Sequence, residues 1–307
     1  MDLISFQLEP VPPFRLDLTV WALRRRSHNM TDRWDGQTYQ RILVLEGRPV
    51  EVAATQTGLP DKPRLQITAK GERLTSGMEG ALSTILQKML GLRSNLAGFY
   101  RFATRDEKLS PLAERFRGVK PPRFPSIFEG MVNGIACQQL TLTVGILLLN
   151  RLAQSCGRAM SGEAASAHAF PGPEDLAGLE METFQELGFS RQKGRALIEL
   201  SQGILEGKVD LENLPSLDDR TAEEQLRQLR GVGRWTAEYV LLRGLGRLHI
   251  FPSGDVGARN KLKRLLNLKR PLDWEGVGRV LARWKPYAGF IYLHLLLDNL
   301  AEQGHVR

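Results

Sequence analysis

The chain has 307 residues, 42% apolar and 25% charged, and carries 42 Lys and Arg against 34 Asp and Glu, a net charge of +8. This length suits two or three packed units of a soluble protein. A basic surplus points to a polyanionic partner, most often nucleic acid, although many soluble proteins are basic without one. With only Cys137 and Cys156 present, a four-cysteine zinc site and an iron–sulfur cluster are excluded, and no disulfide framework is expected. The N-terminus has no basic start followed by a long apolar run, and the longest apolar stretch, residues 146–149, is far too short to span a bilayer. A cytoplasmic, nucleoid-associated protein with no membrane partner is the expectation.

The first hundred residues carry strand-like runs at positions 14–23, 39–45, 50–54 and 65–69. Turn signals separate them at Asp35-Gly36, Glu46-Gly47 and residues 58–63. A helical pattern follows, with Met78, Leu82, Ile85, Leu86, Met89 and Leu90 on one face. Residues 1–98 are therefore expected to form a small α+β domain. Beyond it apolar residues recur at helical spacing, so residues 99–307 are expected to form a mostly α-helical domain. GVKPPRFP at 118–125 is a rigid breaker. Residues 127–152 read as one long buried helical stretch and 164–173 as a loop. Residues 177–187 and 195–205 read as helices, and 214–220 as a connector. The last helix, 289–300, is apolar on nearly all sides and reads as core.

The informative stretch is 221–245, TAEEQLRQLRGVGRWTAEYVLLRGL. A helix opens it, with Asp218, Asp219 and Thr221 as candidate N-caps. Gly231-Val232-Gly233 then makes a tight turn before a second helix from about Arg234. Two glycines one residue apart leave backbone N–H groups unobstructed at a helix N-terminus, where they can bind a phosphate. Glycine turns between helices are also common without such a role, and no strand precedes this one, so it is not the dinucleotide pattern. Val232 is expected to tuck inward and lock the helices together. On the second helix Ala237, Val240 and Leu241 form a packing stripe. Trp235 and Tyr239, four apart, share another face; they are either core aromatics or the walls of a pocket for a flat base.

Downstream, residues 251–254 read as a loop and Asp255 starts a helix. Asp is a frequent N-cap, but an Asp held at a helix N-terminus is also kept ionised and can do chemistry. Arg259, Lys261, Lys263 and Arg264 follow, either as a solvated face or as phosphate contacts.

These residues together resemble a known family. The stretch 229–239 with 251–257 resembles the helix-hairpin-helix, Gly/Pro-rich loop and Asp signature of DNA base-excision glycosylases, and in particular the DNA-3-methyladenine glycosylase II branch. GLRSNLAGFY (91–100), FRGVKPPRFPSIFEGMVNGIACQQ (116–139), LGFSRQKGRAL (187–197) and RWKPY (283–287) agree with it. The resemblance implies a helical glycosylase fold in two halves, an N-terminal α+β domain, and a cleft that receives a base flipped from duplex DNA. It places Asp255 on the catalytic aspartate, and Trp235 and Tyr239 on the base-stacking aromatics. It places Gly231, Val232, Gly233, Arg234 and Thr236 on the DNA-gripping hairpin, whose carbonyls can hold a monovalent cation. Gln138 and Gln139 fall where relatives carry a wedge that fills the gap, Gln139 being the better candidate. Leu296 stands where a relative carries a pocket Trp, and Trp21 matches an aromatic lent by the N-terminal domain. Arg259 and Lys261 are carried as further DNA contacts. No cofactor is implied, and a monomer is expected.

Cleavage of a base–deoxyribose bond passes through an oxocarbenium-like sugar, which a facing carboxylate stabilises while orienting water. An aromatic pocket attracts a cationic alkylated base by about 0.5–2 kcal/mol. Bifunctional relatives carry a Lys at the position of Trp235 and form a Schiff base. Without that amine, water is the expected nucleophile and an abasic site in an intact strand the expected product. The alternatives are a non-catalytic helix-hairpin-helix DNA-binding module and a bifunctional glycosylase/lyase for oxidised bases.

Overall fold

Strands β1 (Asp2–Leu8), β2 (Arg33–Trp34), β3 (Thr38–Leu45), β4 (Arg48–Gln56) and β5 (Leu65–Gly71) form one antiparallel sheet in the order β1-β5-β4-β3-β2. The structure, a computed structural model, describes residues 1–75, 77–160 and 167–306. Side chains alternate across the strands, so the register row Phe6, Ile67, Ala54, Tyr39 is buried along its whole length. The β3–β4 hairpin turns at Glu46 and Gly47, both at positive φ (47° and 77°), the pair of conformations that matches strand twist.

Two strand readings change here. Residues 14–23 are not a strand but lie mainly in helix α1 (Leu16–Arg24). Leu16, Val20 and Leu23 face the sheet core while Leu18 and Ala22 face a helical core. A helix buried on two sides loses the polar stripe that identifies it, and Arg15-Leu16-Asp17-Leu18-Thr19-Val20 then imitates strand alternation. β1 has no counterpart in the sequence reading, because only Phe6 and Leu8 of this edge strand are buried.

Thirteen helices follow among the described residues. They are α2 (Met78–Met89), α3 (Ala97–Ala103), α4 (Leu109–Arg115), α5 (Ile127–Cys137), α6 (Leu142–Cys156), α7 (Pro173–Leu176) and α8 (Met181–Glu186). Then come α9 (Arg191–Leu205), α10 (Asp219–Gln228), α11 (Arg234–Arg243), α12 (Val256–Leu265), α13 (Trp274–Leu281) and α14 (Ala288–Glu302). The loop expected at 164–173 lies partly outside the described residues. The single stretch expected over 127–152 is two helices. Gln138 leaves the helix at ψ 136°, Gln139 takes φ 54°, and Thr141 N-caps α6 by accepting from the Val144 N–H. The Lys193 ammonium holds this break, donating to the Ala136 and Gln138 carbonyls at 2.8 Å each.

The helices form two halves. One core is built from α5, α6, α9 and α11, and the other from α3, α4, α12, α13 and α14 with one face of α1. The sheet is tied to the first half by Arg41. It is 1% exposed and pairs with Asp32 and with Glu129 of α5, the former at 2.7 Å. Among the described residues no helix is long and apolar enough to cross a membrane.

Candidate active site

The hairpin joins α10 to α11. Asp218 caps α10 by accepting from the Thr221 N–H. Gly231 sits at φ 74°, and a Cβ there would stand 2.8 Å from that of Ala196, so both conformation and space call for glycine. Val232 is buried in the first core, as expected. Gly233 caps α11 with open space in front of it. The first N–H groups of α11 have no partner within their own helix, which makes this an anion-binding end.

The hairpin borders a cleft of about 1200 Å³ between the two halves. On its α11 wall the rings of Trp235 and Tyr239 stack at 5.5 Å and 24°. Tyr239 is buried, which pushes its hydroxyl above the usual phenol range against the opposing pull of the Arg25 guanidinium. The Trp235 indole N–H is buried without a partner among the described residues.

Asp255 lines the same cleft from the N-terminus of α12. One carboxylate oxygen accepts from the Ala258 N–H at 2.8 Å, and the other from the Tyr292 hydroxyl at 2.9 Å. The N-cap role read from the sequence is therefore real, and the carboxylate lines the cleft as well. Burial and then the Asp255 charge hold the Tyr292 hydroxyl well above its ordinary range, so it remains a donor. The loop before Asp255 is braced by Glu238. Its carboxylate accepts from the Ser253 N–H at 2.8 Å and from Arg234 at 3.1 Å.

Leu296, Gln138, Gln139, Arg234 and the hairpin glycines line the same cleft. Of the other expected site residues, Trp21 and Arg259 lie outside the cleft, while Thr236 and Lys261 line it with their polar groups engaged within the fold. Trp21 stacks on His305 at 4.9 Å, away from the cleft; α1 is a helix, and this face of it meets the C-terminal segment. Thr236 is buried against α5 and accepts from Gln138 at 2.6 Å. Lys261 is 6% exposed, and its ammonium pairs with Asp298 at 2.9 Å and Glu302 at 2.6 Å, so its charge is spent inside the fold. Arg259 donates to the Leu272 carbonyl and lies outside the cleft. Gln138 also donates to the Gly231 carbonyl at 2.6 Å, which leaves Gln139 as the exposed member of the pair. The hairpin carbonyls of Leu229 and Gly231 each accept one such bond, from Val232 and Gln138. Each keeps a second lone pair, the donor type that a monovalent cation takes.

The sequence reading missed Arg25, Tyr292 and Leu140. Arg25 looks like part of a solvated Arg24-Arg25-Arg26 run, yet it is 5% exposed and lines the cleft. Tyr292 is one helical turn before Leu296, and its hydroxyl, the one in α14, was the available signal. Leu140, 41% exposed beside Gln139, is an apolar side chain at the cleft edge.

A hairpin of this build beside a carboxylate-bearing cleft defines a class of DNA-repair protein, and comparison agrees. Residues 132–286 match the HhH-GPD superfamily base excision DNA repair protein model, and the chain belongs to that family. It is similar to DNA-3-methyladenine glycosylase 2 of Escherichia coli, 28% identical over 92% of this chain and 94% of the relative. It is also similar to DNA-3-methyladenine glycosylase of Bacillus subtilis, 26% identical over 68% and 69%. Among solved structures the 3-methyladenine DNA-glycosylase from Archaeoglobus fulgidus matches with TM-score 0.83 at 27% identity, covering 95% of this chain and 97% of that one. The resemblance read from the sequence is thus borne out. A Clostridium acetobutylicum 8-oxoguanine glycosylase/lyase shares the fold at TM-score 0.72 and 19% identity, so the fold alone does not separate hydrolase from lyase.

Proposed function

We propose that the chain is a monofunctional DNA glycosylase that excises damaged bases, alkylated purines among them, from duplex DNA by hydrolysis. The observation that carries this reading is Asp255, fixed by Ala258 and Tyr292 and facing a cleft walled by Trp235 and Tyr239. The hairpin N–H groups grip a phosphate, and Arg264 and Arg26 on the cleft rim add positive charge. Gln139 and Leu140 fill the gap left by the flipped nucleotide. The base enters against the aromatic wall of Trp235 and Tyr239, and Asp255 stabilises the oxocarbenium-like sugar and accepts a proton from the attacking water.

Trp235 supports hydrolysis over lyase chemistry, because it occupies the position where the resemblance puts a lysine in bifunctional relatives. Lys261, the lysine lining the cleft among the described residues, is held by Asp298 and Glu302. A non-catalytic DNA-binding module would have no use for an aromatic-walled cleft of this volume.

The test is incubation of the purified chain with methylated duplex DNA, identification of the released bases by chromatography, and a parallel borohydride trap. Free alkylated base with an intact abasic strand and no trapped adduct is expected. A trapped adduct overturns the hydrolytic mechanism, and DNA binding without base release overturns the enzyme reading.

A further inference from the structure

Arg25 brings a positive charge to the place where a flipped base would sit. It is 5% exposed, at the C-terminus of α1 with φ 62°, a left-handed conformation that non-glycine residues rarely adopt. Its guanidinium donates to the Tyr239 hydroxyl at 2.8 Å and to the Asn133 side-chain oxygen at 2.6 Å. Its Nε–H has no partner among the described residues. Neither partner carries charge. The ionisable groups beside it, Tyr239 and Cys137, are both pushed upward by burial and stay neutral. The carboxylates whose fields reach it, Asp32 and Glu129, are both already bonded to Arg41, and Asp32 to Tyr39 as well. A buried guanidinium without a dedicated carboxylate is costly to the fold, and in a cleft it is a site for an electron-rich ligand atom.

We infer that Arg25, acting with Tyr239, is a specificity-determining pair that selects neutral, carbonyl-bearing damaged bases over cationic alkylated ones. The inference rests on the glycosylase reading above. The Tyr239 oxygen accepts from Arg25, so its own O–H is free to donate to a carbonyl oxygen or ring nitrogen on the base edge. The two kinds of base differ in their charge on leaving. When the C1′–N bond breaks, its electron pair goes to the base, and water adds to C1′ and passes a proton to Asp255. A cationic alkylpurine departs neutral and needs no help. A neutral deaminated or oxidised purine departs as an anion, takes a proton from solvent after release, and is stabilised meanwhile by the Arg25 charge. The same charge repels a base that arrives positive. The stacking preference of Trp235 and Tyr239 for cations is therefore opposed by the guanidinium behind them.

The test uses the full chain and two duplexes, one with a single hypoxanthine and one with a single 7-methylguanine, under single-turnover conditions. The wild type is expected to release both. In Arg25→Met the ratio of hypoxanthine to 7-methylguanine rates is expected to fall by about tenfold or more, in Tyr239→Phe to fall in the same direction, and in Arg25→Lys to recover. The ratio is internal to each variant, so a partly folded preparation does not mimic the result. Ratios lowered less than this, equal loss of both activities in both variants, or a wild type that releases only 7-methylguanine overturns the inference and leaves the glycosylase reading standing. A wild type that releases neither base overturns both.

Discussion

Replacing Tyr292 with Phe removes one atom from the site and little else. The ring keeps its edge contact with Phe251, at 5.6 Å and 89°, and Asp255 keeps its cap bond to the Ala258 N–H. What is lost is the 2.9 Å bond from the hydroxyl to the second carboxylate oxygen. A hydrogen bond to a charged group is worth about 1.5–3 kcal/mol. At about 1.36 kcal/mol per decade, its full expression in the transition state would cost roughly 10- to 150-fold in rate. The expected loss is about 10- to 100-fold, because without Tyr292 the carboxylate can turn about its remaining anchor. Fold stability should change by no more than about 1.5 kcal/mol, since the freed oxygen faces the cleft. Single-turnover base release measures the first quantity and urea unfolding the second. A release rate within about threefold of wild type, or a rise, would refute the claim that Tyr292 orients Asp255.

Arg41→Met should destabilise the chain by roughly 3–5 kcal/mol, read by denaturant unfolding, because Asp32 and Glu129 are left buried without their shared cation; an unchanged midpoint would contradict this. His294 is buried among Phe99, Phe116 and Phe290, and burial lowers it to about 4. Between pH 6.5 and 4 the unfolded chain therefore binds a proton that the folded chain does not, and stability should fall as pH drops through that window, by up to about 3 kcal/mol. His294→Leu should flatten this acid limb, and an equally steep limb in the variant would assign it elsewhere. Gln138→Ala unties α5 from the hairpin at Gly231 and Thr236. It should weaken DNA binding severalfold in an anisotropy titration and cost about 1–3 kcal/mol of stability; the idea fails if both are unchanged.

The hairpin and Asp255 were legible because their chemistry is local. Glycines, a cap and two aromatics four residues apart declare themselves within one turn of chain. The residues that complete the site are not local. Arg25 meets Tyr239 across 214 positions, and Tyr292 meets Asp255 across 37, so nothing in their neighbourhoods marks them. The partners of Lys261 were hidden for the same reason, since the carboxylates that pair with it lie on α14. In the fold, α1 was hidden by burial on two sides, and the α5–α6 break by a Gln-Gln pair that carries no Gly or Pro. A Thr N-cap at position 141 was the quiet signal of that break.

Asp255 is both a helix cap and the proposed catalytic carboxylate, and Asp255→Asn separates the two roles. Asn caps a helix about as well as Asp, so the variant should fold and bind duplex DNA with wild-type affinity. It lacks the negative charge that stabilises the sugar cation, so release of 7-methylguanine from duplex DNA should fall by at least about a thousandfold. Excision within about tenfold of wild type by a folded, DNA-binding Asp255→Asn protein would contradict the account.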